Sequence, residues 1–310
     1  MNKEQADVSA FKRKDAASYD DVTGAFDRFT ERFTGSIAER VVELASIRPG
    51  DSVLDVGCGT GVVSFAAARR LTGSGRLVGI DLSDGMLAAA REKASRGRFS
   101  MVEFRKMDAE ALDLADAQFD AALSMFALRH FPHPEAALAQ MSRVLRPGGR
   151  LVVAVGSAPS LASRAGLAAA WRRLGAVGAG LVGRRDLVAC AYLDRLVEAH
   201  LPPGRDDEEA AWIHAHSMHG SVERMVADAG FRDVRSDWAG NDGIVPSKED
   251  FWDVQVTFST LARKRLPTAP ADAVARLRRE FDAGCERAQA SGGKLRYPTG
   301  ALIVVARKPG

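Results

Sequence analysis

Val53-Leu54-Asp55-Val56-Gly57-Cys58-Gly59-Thr60-Gly61 is a short apolar run that turns on three glycines and opens into a helical pattern at Val62. Glycines at such a strand–helix turn let a ligand approach the backbone where side chains would block it. The spacing invites the dinucleotide fingerprint G-x-G-x-x-G, but Val62 stands where that pattern needs its third glycine. No Lys-Ser/Thr pair follows, so a phosphate-cradling P-loop is excluded as well. Asp55, two residues before the first glycine, would repel a pyrophosphate and welcome a ligand ammonium.

Outward from this turn, strand and helix signals alternate from Ser36 to Gly156. Ser36 and Glu39 form an S-x-x-E capping box, which predicts a helix with Ile37, Val41, Leu44 and Ile47 on one side, stopped by Pro49-Gly50. Strands are predicted over 53–56, 77–80, 102–106, 119–125 and 151–155, and helices over 62–71, 86–94 and 135–145. The last helix is opened by Pro134 and closed by Pro147-Gly148-Gly149. A helix over 221–229 and strands near 231–237 and 301–306 follow. This alternation predicts an α/β fold, a parallel sheet with helices on both faces.

Residues 157–220 and 239–296 interrupt the alternation with mostly helical patterns. Right-handed crossovers put both departures at the sheet edge where ligands bind. They are expected to form a helical cap rather than a separate domain.

Two more acids match the glycine turn. Asp81 ends the second strand, where a carboxylate can take both ribose hydroxyls, and Asp108 with Ala109 ends the third, suited to the amine and edge of adenine. Acids for an amino group, a ribose and an adenine describe S-adenosylmethionine well and a phosphate-bearing cofactor badly.

VLDVGCGTG, LVGIDLS with Met86, KMDAEAL and FDAALSMFALRHFPHPEAALAQMSRVLRPGGRLVV resemble the successive motifs of class I S-adenosylmethionine-dependent methyltransferases. The likeness is to the ubiquinone/menaquinone-biosynthesis group, and AGFRDV and ALIVVARKP continue it in order. The resemblance implies a Rossmann-like, seven-stranded, mostly parallel sheet with its last strand antiparallel between its neighbours. It implies cofactor contacts at Asp55, Gly57, Gly59, Gly61, Asp81, Leu82, Asp108 and Ala109, with Ser124 and Met125 lining the methionine end and Met86 packing beneath. The implied organisation is an N-terminal helical segment over the cofactor site (1–35), a core (36–156), a cap insertion (157–220), a core helix and strand (221–238), a second insertion (239–296) and a final strand (297–310).

Composition narrows the setting. With 310 residues, 46% apolar and 27% charged, the chain can bury a sizeable core, which excludes a disordered or fibrous protein. The apolar stretch 174–183 falls short of the ~20 residues that span a bilayer. The polar first residues offer no secretion signal. Cys58, Cys190 and Cys285 lack paired metal spacing, so a reduced, cytoplasmic protein is expected. A net charge of +3 is too weak to suggest nucleic acid.

Methyl transfer is an in-line displacement in which the protein positions and desolvates the acceptor. A hydroxyl acceptor needs a base, which histidine suits near neutral pH. His130 and His133 follow the fourth strand, and His214, His216 and His219 precede the helix at Ser221. His216, His219 and His130 are the candidate catalytic residues, with Tyr19, which matches a tyrosine of the family's N-terminal helix. The H-x-H-x-x-H run has no identifiable carboxylate partner, so no metal is expected. His200 is unassigned. Trp171, Trp212, Trp238, Phe251, Trp252 and Phe258 fall in or near the insertions and suit the small core a cap needs.

The reading is an S-adenosylmethionine-dependent methyltransferase acting on a small-molecule acceptor, at oxygen if a histidine is the base and at carbon or nitrogen otherwise, in a setting of secondary metabolism. S-adenosylhomocysteine is the product, and a homodimer is compatible with it. Two other classes stay open: a nucleic-acid methyltransferase, although Ser124-Met125-Phe126-Ala127 lacks the Asn/Asp-Pro-Pro-aromatic signature, and a cofactor-binding protein without methyl transfer.

Overall fold

β1 (Ser52–Val56) is buried along its whole length, and its side chains alternate between two cores: Leu54 and Val56 join one, Val53 the other. The computed structural model describes residues 3–72, 74–157, 186–201, 203 and 221–310. The chain divides into two compact units, one of Met1–Ser157, Ala211–Ala239 and Ala301–Gly310, the other of Ala158–Ala210 and Gly240–Gly300.

In the first unit the sheet order is β3 (Val102–Lys106), β2 (Arg76–Asp81), β1, β4 (Phe119–Met125), β5 (Leu145–Gly156), all parallel. β8 (Leu295–Arg307) follows, its 301–307 stretch antiparallel to β5, and β7 (Arg232–Ile244) pairs with β8. Helices α2 (Thr23–Ala45) and α3 (Val62–Ala68) close one face through Ile37, Val41, Val63 and Ala67. On the other face α5 (Pro134–Val144) and α7 (Val222–Asp228) contribute Leu138, Met141, Met225 and Val226. Each large aliphatic side chain so buried contributes roughly 1.5–3 kcal/mol. Strand order reverses between β1 and β4, which opens a crevice at their carboxyl ends. Two further helices, α1 (Lys3–Asp20) and α4 (Asp84–Gly97), belong to this unit.

Local signals misplace three boundaries. Ser36 does not cap a helix: α2 runs through it from Thr23, because buried Phe29, Phe33, Ile37, Val41 and Ala45 form one unbroken i, i+4 stripe. Packing of that stripe outweighs the capping box. Pro147-Gly148-Gly149 lies inside β5 rather than closing a helix; the β4 register jumps from Phe119↔Leu145 to Ala121↔Arg150, so the intervening residues bulge out of the pairing. β7 and β8 are longer than the sequence pattern suggests.

The second unit has a core of its own. Its helices are α6 (Ala191–His200), α8 (Lys248–Phe258), α9 (Thr260–Arg265) and α10 (Ala271–Ala290). Phe251, Phe281, Leu277, Leu193 and Val197 are fully buried. Gly284 on α10 is required by close approach, since a Cβ there would stand 1.8 Å from the Tyr192 hydroxyl. Buried Gln255 accepts the Leu193 N–H at 3.0 Å and donates to the Phe251 carbonyl at 3.0 Å, tying α6 to α8. Trp252 packs edge-on to Phe281, and Phe258 stacks on Tyr297. β6 (Leu187–Val188), which sequence patterning misses, pairs in parallel with Leu295 and Arg296 and makes eight strands among the described residues. Trp171 and Trp212 lie outside the described residues, and Trp238 donates its ring N–H to the Ser157 carbonyl at 3.2 Å within the first unit.

Candidate cofactor and active site

The turn after β1 has Gly57, Gly59 and Gly61 at φ +70°, +53° and +91°. At Gly57 glycine is obligatory on two counts, because a Cβ would also meet the Ala127 Cβ at 2.2 Å. The turn is fastened to the end of β2: the Gly57 and Cys58 N–H groups both donate to the Ile80 carbonyl at 2.9 Å. The Gly59 N–H donates to Asp81 Oδ2 at 2.8 Å and the Ser83 N–H to Oδ1 at 3.0 Å. The Leu82 N–H also bears on this carboxylate, whose two oxygens can accept further hydrogen bonds from a vicinal diol. Burial pushes the Asp81 carboxyl up from its ordinary value, against these amides and the charge of His130. Leu82 is half-buried beside it, and Met86 is buried in the first turn of α4.

Asp55 is enclosed at the end of β1. Its carboxyl is 1% exposed and accepts the Ser64 hydroxyl of α3 at 2.5 Å. Burial, followed by repulsion from Asp81, pushes it up to about 7 despite that hydrogen bond. Burial, followed by repulsion from Asp81 and Asp55, raises the Cys58 thiol well above the ordinary range and leaves it a protonated space-filler.

At the tip of β3, Asp108 accepts the Glu110 N–H at 2.9 Å and the Lys12 ammonium at 2.8 Å, while Ala109 is buried beside it. Lys12 also reaches Glu110 at 2.6 Å, and Glu110 accepts the His133 N–H at 2.9 Å. At the end of β4, Ser124 and Met125 are buried. Phe126 follows at φ +62°, a left-handed conformation that a bulky residue adopts only under constraint.

α1 lies against these loops. Asp20 accepts from the Ser83 hydroxyl at 2.6 Å and the Gly85 N–H at 2.9 Å, at the start of α4. His130 has Nδ1 3.1 Å from Asp15 Oδ2 and Nε2 3.3 Å from the Tyr19 hydroxyl. Tyr19 and His130 are therefore brought together. His133 is exposed and caps α5, and His214, His216 and His219 lie outside the described residues. His200 pairs with Glu280 at 2.7 Å in the second unit. No metal-binding cluster occurs among the described residues. Motif reading does not reach Lys12, Asp15 and Ser64. A signal existed for two of them, since Lys12 and Asp15 share a helix face with Tyr19 at i, i+3, i+7.

Fold and site define a class of protein that grips a nucleoside cofactor in the crevice of a doubly wound sheet. A family model described as a methyltransferase domain matches residues 53–149. The ubiquinone/menaquinone biosynthesis C-methyltransferase of Azotobacter vinelandii is 34% identical over 224 residues, covering 71% of this chain and 79% of that one. The chain belongs to the class I S-adenosylmethionine-dependent methyltransferases, within the ubiquinone/menaquinone biosynthesis C-methyltransferase group. The Teredinibacter turnerae member is 39% identical over 149 residues, 46% of this chain and 57% of the relative, so the match spans little more than half that protein's length. Among solved structures, a methyltransferase from Bacillus halodurans superimposes with TM-score 0.53 at 20% identity, covering 89% of this chain and all of that one. The YcgJ protein of Bacillus subtilis gives 0.51 at 16%, covering 88% and 98%. These two likenesses establish the fold.

S-adenosylmethionine, the cofactor of this family, supplies an electrophilic methyl group on a sulfonium when bound. The residues present fit it. The Thr60 and Ser124 hydroxyls are buried without a hydrogen-bond partner among the described residues, as groups awaiting a polar ligand are. They stand on the glycine turn and at the end of β4.

Proposed function

We propose that this chain transfers the methyl group of S-adenosylmethionine to a ring carbon of a small quinol-type acceptor. The observation that carries it is the Asp81 carboxylate, oriented at the end of β2 by the Gly59 and Ser83 amides, where ribose hydroxyls can reach it. Asp108 and Ala109 take the adenine amine and edge, with Leu82 and Met86 against the base. The backbone of Gly57, Gly59 and Gly61 carries the sugar and amino-acid portion, Asp55 answers its ammonium, and Ser124 and Met125 border the methionine end. Carbon replaces oxygen as the favoured acceptor atom because the relatives that match over most of their length are C-methyltransferases.

The test is calorimetric titration with S-adenosylhomocysteine, then incubation with methyl-labelled cofactor and a panel of ring-unmethylated quinols, catechols and phenols. Label in a ring methyl supports the proposal. Binding without label in any product, or label only in a methyl ether, would refute it.

A further inference from the structure

α1 is an unusual cover for a ligand site. Before Tyr19 it carries only Val8 and Phe11 as large apolar residues, so its contacts with the loops are mainly polar. Two of its side chains, Asp15 and Tyr19, converge with His130 on chemistry rather than on packing. Asp15 accepts from His130 Nδ1, which leaves the Nε2 lone pair facing the Tyr19 hydroxyl. Residues 111 and 115 positions apart in the chain thus form a carboxylate–imidazole–phenol line, the arrangement that moves a proton in one direction. The line borders the proposed site at two points. Tyr19 packs edge-on to Phe26 at 5.8 Å, and Phe26 lies 3.5 Å from where a Cβ on Gly59 would stand. His130 also bears electrostatically on Asp81.

We propose that Tyr19 and His130 are the proton-accepting pair of the methyl transfer, with Asp15 as their positioning residue. The inference rests on the reading of a quinol acceptor. The acceptor hydroxyl passes its proton to the Tyr19 oxygen as the Tyr19 proton moves to His130 Nε2, and Asp15 steadies the imidazolium. The freed electron pair, delocalised to the neighbouring ring carbon, forms the carbon–carbon bond to the methyl group. The carbon–sulfur bond breaks, and its pair stays on sulfur as a neutral thioether. The ring carbon then gives its proton to water while His130 returns one through Tyr19 to the oxygen, which restores the aromatic hydroxyl. One proton reaches solvent per turnover.

The full chain and its Tyr19→Phe, His130→Gln, Asp15→Asn and Asp15→Glu variants are compared with S-adenosylmethionine and a short-chain, ring-unmethylated 1,4-naphthoquinol. Titration with S-adenosylhomocysteine reports that each site is folded, and ¹⁵N spectra report the His130 tautomer. Tyr19→Phe and His130→Gln should lower kcat by about 100-fold, with quinol KM within about threefold and cofactor affinity unchanged. Asp15→Asn should lower kcat and move the His130 hydrogen from Nδ1 to Nε2, and Asp15→Glu should restore both. Near-normal kcat in Tyr19→Phe or His130→Gln, with the wild type methylating the quinol, overturns the relay and leaves the methyltransferase reading intact. So does an Asp15→Asn tautomer like the wild type's. Cofactor binding with no quinol methylation by the wild type overturns both, since that hydroxyl is the relay's proton source.

Discussion

Replacing Asp55 by Asn should stabilise the protein, and the gain should depend on pH. The carboxyl is wholly enclosed and titrates near about 7 instead of 3.8, burial being the main cause. Below about pH 4 both folded and unfolded chains hold the proton, and burial costs nothing. Between there and about pH 7 the unfolded chain ionises while the folded one stays protonated, so stability falls as pH rises. Above about 7 the folded state ionises too and the penalty is constant. At about 1.4 kcal/mol per pH unit, the full penalty is about 4 kcal/mol, of which about 3 kcal/mol develops between pH 5 and pH 8. Asn keeps the acceptor that Ser64 uses, so the hydrogen bond at 2.5 Å has a replacement. Urea unfolding of wild type and Asp55→Asn at pH 5 and pH 8, at constant ionic strength, measures the difference directly. The advantage of the variant should be about 3 kcal/mol larger at pH 8. An advantage equal at both pH values within about 0.5 kcal/mol would show that Asp55 is ionised and compensated at pH 5, and would refute the reasoning. If the carboxylate also answers a ligand ammonium, wild-type affinity for S-adenosylhomocysteine should tighten between pH 6 and pH 8, and that of Asp55→Asn should not.

Asp81→Ala should weaken S-adenosylhomocysteine binding by on the order of 1–3 kcal/mol in calorimetry through lost hydrogen bonds to a buried ligand, and unchanged affinity would contradict the ribose assignment. Gly57→Ala combines a positive φ with a contact of 2.2 Å to Ala127, so cofactor binding should be abolished in the same titration. Gly284→Ala would drive a methyl group into the Tyr192 hydroxyl at 1.8 Å. It should destabilise the second unit by roughly 1–3 kcal/mol, read as faster amide exchange in α6 and α10 with α3 and α4 unaffected.

The parallel core was legible because its signals are local and redundant. The short apolar run of β1, the glycines after it and the acids closing β2 and β3 each imply the same strand–turn–helix unit, repeated in chain order. Ser36 shows where that legibility stops. Its capping box is a sound local pattern, yet a stripe of buried side chains four residues apart carries the helix past it. Asp55 is a second instance: the strand-end acid is plain in the motif, but its enclosure beneath Ser64, and hence its titration near about 7, depends on how α3 folds back over β1.

Periodicity and glycine spacing, which act within a few residues, were enough to establish an α/β chain and to nominate the β1–β2–β3 tips as its site. Contacts between distant residues belong to the folded molecule alone. Lys12 meets Asp108 across 96 positions and Asp15 meets His130 across 115, pairings that no local rule encodes. They exist because the doubly wound topology brings the strand ends to one edge and leaves that edge open for a polar helix to cover.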